Sequence, residues 1–330
     1  DLAQCLVGSE MCIRDRNKGE IIMQEKFCLE MLGCKVNYIT DLPLIDFIKE
    51  HARFTEFNEC KILPYDNSCK YVVKYVNSRE KKVASYFDKL KIAHPVEELD
   101  EECILYAGMT FFERQYAEKS MFTCHSACIE KDGKGILFLG DAGAGKTSLA
   151  LRMCLDKNYS LLSNDQTVVG LKDQTLKAFK GTQFINFRKT SVENNLPEFL
   201  YLFNDPTINP WTQKINVHAD DIGIKTSKEE TELKKVYFVH CLNGQELNVK
   251  PATTFGNQFK LYQNLSMHIR GAAASLHDRK GFQIGYSRSL ETKKTDNNRR
   301  KVINTMNNLQ DFSLLTGSMN DIINYIEKEM

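Results

Sequence analysis

No stretch of this 330-residue chain reaches the roughly 18 consecutive apolar residues that a membrane-spanning helix needs, so no membrane is expected as a partner. Neither sign of charge is in excess. The 44 Lys and Arg stand against 43 Asp and Glu, a formal net charge of +1. No global field draws such a chain to polyanions, and nucleic acid is not expected among its partners. There are no internal repeats and no long low-complexity tract. The first residues lack the basic segment and long apolar run of a secretory leader. Cysteines number 11, an odd count, scattered and mostly set in apolar runs such as "FCLEMLGC" and "ALRMCL". That usage reads as reduced, buried thiols in a cytoplasmic protein. Cys124 and Cys128 flank His125, but no second Cys/His pair follows at zinc spacing, which argues against a metal centre there.

What remains is a chain with 42% hydrophobic and 26% charged residues, ordinary for a globular protein and long enough for two domains. Residues 1–22 are expected to lie outside the fold. The stretch "CLVGSEMCIRDR" within them resembles a translated sequencing-adaptor fragment, and the natural chain is expected to start at Met23; the competing reading is a genuine leader without fixed structure. Residues 23–115 read as a smaller α+β domain. "KFCLEMLGCKVNYIT" predicts two strands about a turn at Gly33, "LPLIDFIKEH" a short helix and "KYVVKYVNS" a strand, while "VASYFDKLKIAH" fits either element. Residues 116–330 read as a larger α/β domain. "MFTCHSACIE" predicts one strand, and "ILFLG", apolar on both faces, a central one. "KTSLALRMCLDK" predicts a helix, and "YSLLSND", "TVVGLK", "QFINFRK" and "KVYFVHCL" predict further strands of the same sheet. Residues 257–275 predict a helix. "LETKKTDNNRRK", residues 290–301, is charged enough to predict an exposed loop. "SMNDIINYIEKEM" predicts an amphipathic final helix capped by Ser318 or Asn320.

Residues 140–147, "GDAGAGKT", fit G-x-x-x-x-G-K-[ST] in full, with an apolar strand before and a helix after. This is the phosphate-cradling loop of nucleotide-binding proteins. Gly140, Asp141, Ala142, Gly143, Ala144, Gly145, Lys146, Thr147 and Ser148 are its candidate binding residues. The glycines let backbone N–H groups turn toward phosphate oxygens, and the helix start adds its positive dipole end. Lys146 can reach the outer phosphates, and the Thr147 hydroxyl can serve Mg²⁺. A bare glycine-rich turn without a ligand is the plainer alternative.

Asn164 and Asp165 close the next strand, Asp165 only 19 residues after Lys146. That gap holds one helix and one turn, so "YSLLSND" is expected to pack beside "ILFLG" with its end at the loop, where open α/β sheets gather ligands. Asp165 is then the candidate metal ligand together with Thr147; the alternative is a turn that favours Asn and Asp. His125 lies 15 residues before Gly140. It is a candidate for the outer-phosphate region, weighed against a structural histidine.

The order His125, "GDAGAGKTSLAL", "LLSND" resembles the C-terminal domain of HPr kinase/phosphorylase and its related kinases. The resemblance implies an α/β fold: a P-loop kinase core with a mixed sheet, akin to PEP carboxykinase, after a smaller N-terminal α+β domain. It implies transfer of a phosphoryl group from ATP, with Mg²⁺, to a hydroxyl, most often a serine, on a protein, a peptide or a small molecule. It also implies a homo-oligomer. Asp165, His125, Lys146 and Asn164 match the family's catalytic positions. The family has an acid where Asn164 stands, and an amide cannot take a proton, so that role would pass to Asp165 or elsewhere. A later cation should neutralise the moving charge, with Lys180, Arg188, Arg270, Arg279, Arg299 and Arg300 as candidates. A non-catalytic nucleotide- or phosphate-sensing module acting through a partner is the competing function, favoured by Asn164. A motor or GTPase is disfavoured by the short Lys146-to-Asp165 gap and by the lack of an N-K-x-D motif.

Overall fold

A computed structural model describes residues 24–57, 60–204, 209, 213–227, 230–271, 275–310 and 312–329. The expected leader, residues 1–22, lies outside the described residues. Among the described residues two compact units emerge, one within 24–52, 60–115 and 267–291, the other within 53–57, 116–266 and 292–329. Residues 267–291, assigned from sequence to the second domain, therefore cluster with the first.

The first unit opens on a hairpin. β1 (Glu25–Met31) and β2 (Cys34–Thr40) pair antiparallel with Met31 opposite Cys34. Leu32 and Gly33 between them both take positive φ, 46° and 67°, the handedness that matches strand twist in a two-residue turn. Helix α1 (Leu44–His51) turns Leu44, Phe47 and Ile48 inward. β3 (Lys61–Pro64), β4 (Val72–Asn77), β5 (Lys82–Ser85) and β6 (Lys89–His94) complete a six-stranded mixed sheet in the order β3-β1-β2-β4-β6-β5. The ambiguous "VASYFDKLKIAH" is thus two antiparallel strands. Helix α2 (Glu101–Tyr106) is capped by Asp100, whose side chain accepts from the Cys103 N–H at 2.8 Å. The division between the units falls within α3 (Met109–Glu118).

In the second unit the single strand expected over "MFTCHSACIE" is broken at Ser126 into β7 (Met121–His125) and β8 (Ala127–Lys131). β9 (Lys134–Leu139) follows, buried from Gly135 onward, and leads to α4 (Lys146–Lys157). Next come β10 (Ser160–Ser163), β11 (Gln166–Lys172) and β12 (Thr175–Phe179). β13 (Phe184–Arg188), expected in the main sheet, instead forms a separate two-stranded sheet with β14 (Lys214–His218), with α5 (Lys189–Asn195) between them. β15 (Thr231–Cys241), β16 (Asn248–Pro251) and α6 (Phe255–Asn264) continue the unit. α6 stops well short of residue 275. The short strands β17 (Ser275–His277) and β18 (Gln283–Tyr286) belong to the first unit. The expected loop at 290–301 is mostly helix, the start of α7 (Lys293–Asn307). Its Thr292–Thr295 capping box supplies the start signal, and the polar run is a helix face rather than a loop. β19 (Phe312–Gly317) and α8 (Met319–Glu329) end the chain, the Ser318 hydroxyl accepting from Asp321 N–H at 3.3 Å.

The main sheet has nine strands in the path β10-β8-β9-β15-β12-β11-β7, with β19 also on β15 and β16 on β19. β9, β15 and β19 run parallel, and the remaining pairs are antiparallel. β10 therefore pairs with β8, not with β9 as expected from sequence. One strand intervenes, but β10 still points the same way as β9. β7 ends the path although it runs into β8, near its start, after one residue, so the sheet curls back on itself. Leu149, Leu151 and Met153 of α4 and Ile322, Ile323 and Ile326 of α8 pack with Ile136 and Phe138 of β9 in a continuous core. No helix among the described residues is long and apolar enough to cross a membrane. Phe138 is fully buried on a central strand. Phe138→Ala is expected to destabilise the second unit by about 3–5 kcal/mol, read from the urea midpoint; a loss under about 1 kcal/mol would mean the core collapses around the cavity.

Candidate functional site

Where β9 ends, the chain is pressed against β15. A Cβ on Gly140 (φ 149°) would stand 2.7 Å from the Val239 carbonyl oxygen, and one on Gly145 (φ 92°) 2.8 Å from both Cβ and Sγ of Cys241. Only glycine fits either position, both for space and for backbone. The Ala144 N–H donates to the Asp141 carbonyl at 3.1 Å, and the Cys241 N–H to the Ala144 carbonyl at 2.9 Å, which pins the loop to the strand. Asp141, Ala142 and Gly143 are exposed and Ala144 is buried. Gly145 caps α4 with no side-chain bond, leaving first-turn N–H groups without a side-chain acceptor.

Lys146 is buried, and its Nζ donates to the Gly140 and Asp141 carbonyls at 2.9 and 3.1 Å. Burial lowers its pKa, and the charges of Asp165, Cys124 and Asp141 only partly restore it. One residue on, the Thr147 hydroxyl donates to Asn164 Oδ1 at 2.7 Å. Asn164 is buried, and its amide donates to the Phe184 carbonyl at 3.1 Å. The end of β10 is thereby fastened to the first turn of α4. Ser148 lies with its hydroxyl 3.4 Å from that of Ser191.

Asp165 takes φ 69°, a left-handed conformation that Asp tolerates better than most residues. Its Oδ1 lies 3.1 Å from His125 Nε2. Burial pushes the Asp165 carboxyl upward, but the hydrogen bond and charge of His125, with Lys146 and Lys214 behind them, outweigh it and hold the group below the usual carboxylate range. His125 is itself fixed by Asn264, whose Oδ1 accepts from its main-chain N–H at 2.7 Å and whose amide donates to its carbonyl at 3.2 Å. Lys146, Thr147, Asn164, Asp165 and His125 are thus brought together from three segments.

Of the expected later cations, Arg270, Arg299 and Arg300 are ion-paired away from them. Arg299 is fully buried against the Tyr262 ring, 4.6 Å from its centroid, and ion-paired to Asp296 at 3.0 Å. Arg300 binds the same Asp296 at 2.9 Å. Arg270 pairs with Glu291 at 2.9 Å, and Arg279 bonds Glu98 through its main chain at 2.8 Å, all within the first unit. Arg188 is an exposed residue opening α5, and half-buried Lys180 acts on His218. Instead Lys260 of α6 reaches Asp141 of the loop at 2.6 Å, and Lys214 acts on Asp165. Neither was singled out from sequence, nor was Asn264. The one available signal was the spacing of Lys260 and Asn264, which puts both on one row of a helix.

No protein-family model matches this chain, and no curated protein matches it. It is similar to a solved structure of the Hpr(Ser) kinase/phosphatase from Coxiella burnetii, at 16% identity over 39% of this chain and 76% of that one, with a TM-score of 0.23. A likeness of that size decides nothing about chemistry.

A carboxyl whose pKa is lower folded than unfolded stabilises the fold above the unfolded value, and that stabilisation disappears as pH falls through the folded value. Asp165 is such a group. Asp165→Asn, which keeps a side chain tolerant of positive φ, is expected to be less stable than the parent near pH 6, with the gap closing below about pH 4. Urea unfolding at both pH values measures it; a gap independent of pH would show that the charge of Asp165 contributes nothing.

Proposed function

We propose that this chain is a phosphotransferase that moves the γ-phosphoryl group of ATP, with Mg²⁺, to a hydroxyl of a protein, peptide or small molecule, serine being the favoured acceptor. The observation that carries the reading is the 2.7 Å bond from Thr147 to Asn164. It ties the turn after β10, which carries Asp165, to the first turn after the glycine-rich loop, so a nucleotide's outer phosphates on that loop would face a carboxylate. The residues present suit the groups invoked. Two glycines that admit no Cβ hold the loop, and Lys146 already has two oxygen acceptors there, positions that phosphate oxygens would take over.

For the metal, the Thr147 hydroxyl keeps its lone pairs while donating to Asn164, and Asp165 offers a carboxylate. Both are hard oxygen donors of the kind magnesium takes. Among the described residues no group of three or more His, Cys, Asp or Glu is gathered for a metal, so phosphate oxygens and water would complete the shell. When bound, the ion would neutralise charge on the phosphates. Phosphoryl transfer asks the protein mainly for position and charge. Lys146 would bind the outer phosphates. Asn164 would hold Thr147 in place without a charge of its own. Asp165, ionised and oriented by His125, would accept the hydrogen bond of the incoming hydroxyl and, late in transfer, its proton. A low-pKa base suffices because a loose transition state develops little charge on the nucleophile before the bond to the leaving group has lengthened.

A second reading is supported by Asn164 itself. With one carboxylate in place of two, the chain would bind nucleotide and signal through a partner without turnover. Acceptor-dependent ADP release separates the two. Lys146→Ala is expected to weaken ATP binding about tenfold or more and to lower ATP-dependent phosphorylation by roughly 10²-fold or more. Calorimetry and transfer of labelled phosphate measure these; intact phosphorylation in the variant would overturn the assignment.

A further inference from the structure

The proposed transfer requires a cation for the charge on the moving group, and Arg270, Arg299 and Arg300 are ion-paired elsewhere. Helix α6 carries two residues one turn apart that both face the candidate site. Asn264 grips the His125 main chain at 2.7 and 3.2 Å, and Lys260 Nζ meets Asp141 Oδ2 at 2.6 Å. One helix thus spans from the loop that would hold phosphates to the His125–Asp165 pair. The Lys260–Asp141 contact is wet, the two side chains being 52% and 73% exposed. An exposed ion pair of this kind favours its closed form by roughly fivefold at most. A cation hydrogen-bonded to a phosphate oxygen is worth about tenfold or more. The exchange of Asp141 for a phosphate therefore runs in favour of the phosphate. Asp141 is also the second residue of the loop, so Lys260 need only shift along the loop rather than cross the site.

We propose that Lys260 binds the γ-phosphate of a nucleoside triphosphate, and that Asp141 holds it in place until that phosphate displaces the carboxylate. The inference rests on the phosphotransferase reading and adds to it the residue that tells a triphosphate from a diphosphate. A purely structural bridge makes a different forecast, because removing either partner of such a bridge does the same thing. Under the proposal the two removals act in opposite directions: without Asp141, Lys260 is already released.

The test is calorimetry of the full chain with MgATP and with MgADP. Lys260→Ala is expected to weaken ATP about tenfold or more while changing ADP less than about twofold. Lys260→Arg is expected to stay within about threefold of the parent for both nucleotides, since it keeps the charge and the donors. Asp141→Asn is expected to bind ATP as tightly as the parent or up to about fivefold more tightly. If Lys260→Ala leaves ATP binding unchanged, or weakens ATP and ADP alike, or if Asp141→Asn loses ATP affinity as Lys260→Ala does, the inference falls while the phosphotransferase reading stands. If the parent chain binds neither nucleotide, both fall together.

Discussion

The second unit turns on one hydrogen bond, from the Ser126 N–H to the Asp165 carbonyl at 3.0 Å. β7 and β8 are consecutive in the chain but well separated in the order of the sheet, so the sheet must close on itself where Ser126 joins them. The join is lined by hydroxyls: Ser126 Oγ reaches Thr167 Oγ1 at 2.8 Å, and Ser163 reaches the same Thr167 at 2.5 Å. All three residues are buried, and each polar group finds its partner within the trio, as burial demands. Asp165 and His125 meet because β11 pairs directly with β7, which sets Gln166, the residue after Asp165, opposite His125.

Asn164 makes sense in the same terms. Its side chain is 3% exposed, accepts from Thr147 and donates to the Phe184 carbonyl. A carboxylate there could accept but not donate. It would face a carbonyl with like partial charge, beside Asp165, and a buried charge in that setting costs several kcal/mol. The amide does what this position needs: it bonds a donor on one side and an acceptor on the other, at no electrostatic cost. That it cannot take a proton is the other side of the same property, and it leaves Asp165 as the ionised group at that end of the strand.

Much of the frame was legible from residue order. The Leu32–Gly33 turn, the loop from Gly140, α4 and the final helix all follow from local chemistry: glycine where φ is positive, a cap where a helix starts, apolar spacing along one face. The proximity of Asp165 to α4 was legible from the short gap. The route to it was not, because strand pairing is decided by contacts far apart in sequence, and β10 sits beside β8 rather than β9. The loop expected at 290–301 failed for a different reason. Its helix signals are local, the Thr292–Thr295 capping box and Asp296 paired to Arg299 and Arg300 at i+3 and i+4, but a reading by composition alone passes over such spacing; only Tyr262, which also bonds Asp296, is supplied from afar. Lys260 escaped notice because nothing near it in sequence marks a helix lysine as facing a loop 119 positions away.

One strand gives the second unit a property of its own. β15, eleven residues long, lies along β9 on one edge, and on its other edge serves β12 with its first residues and β19 with its last. Both branches of the sheet are therefore anchored to a single shared backbone. The β19 branch can fray from β16, its outer strand, but β15 itself is released only when both of its edges are lost. A strand held on both edges belongs to the part of a domain that opens last, and amides buried along Val236, Tyr237 and Phe238 should be among the last to trade their protons with the solvent.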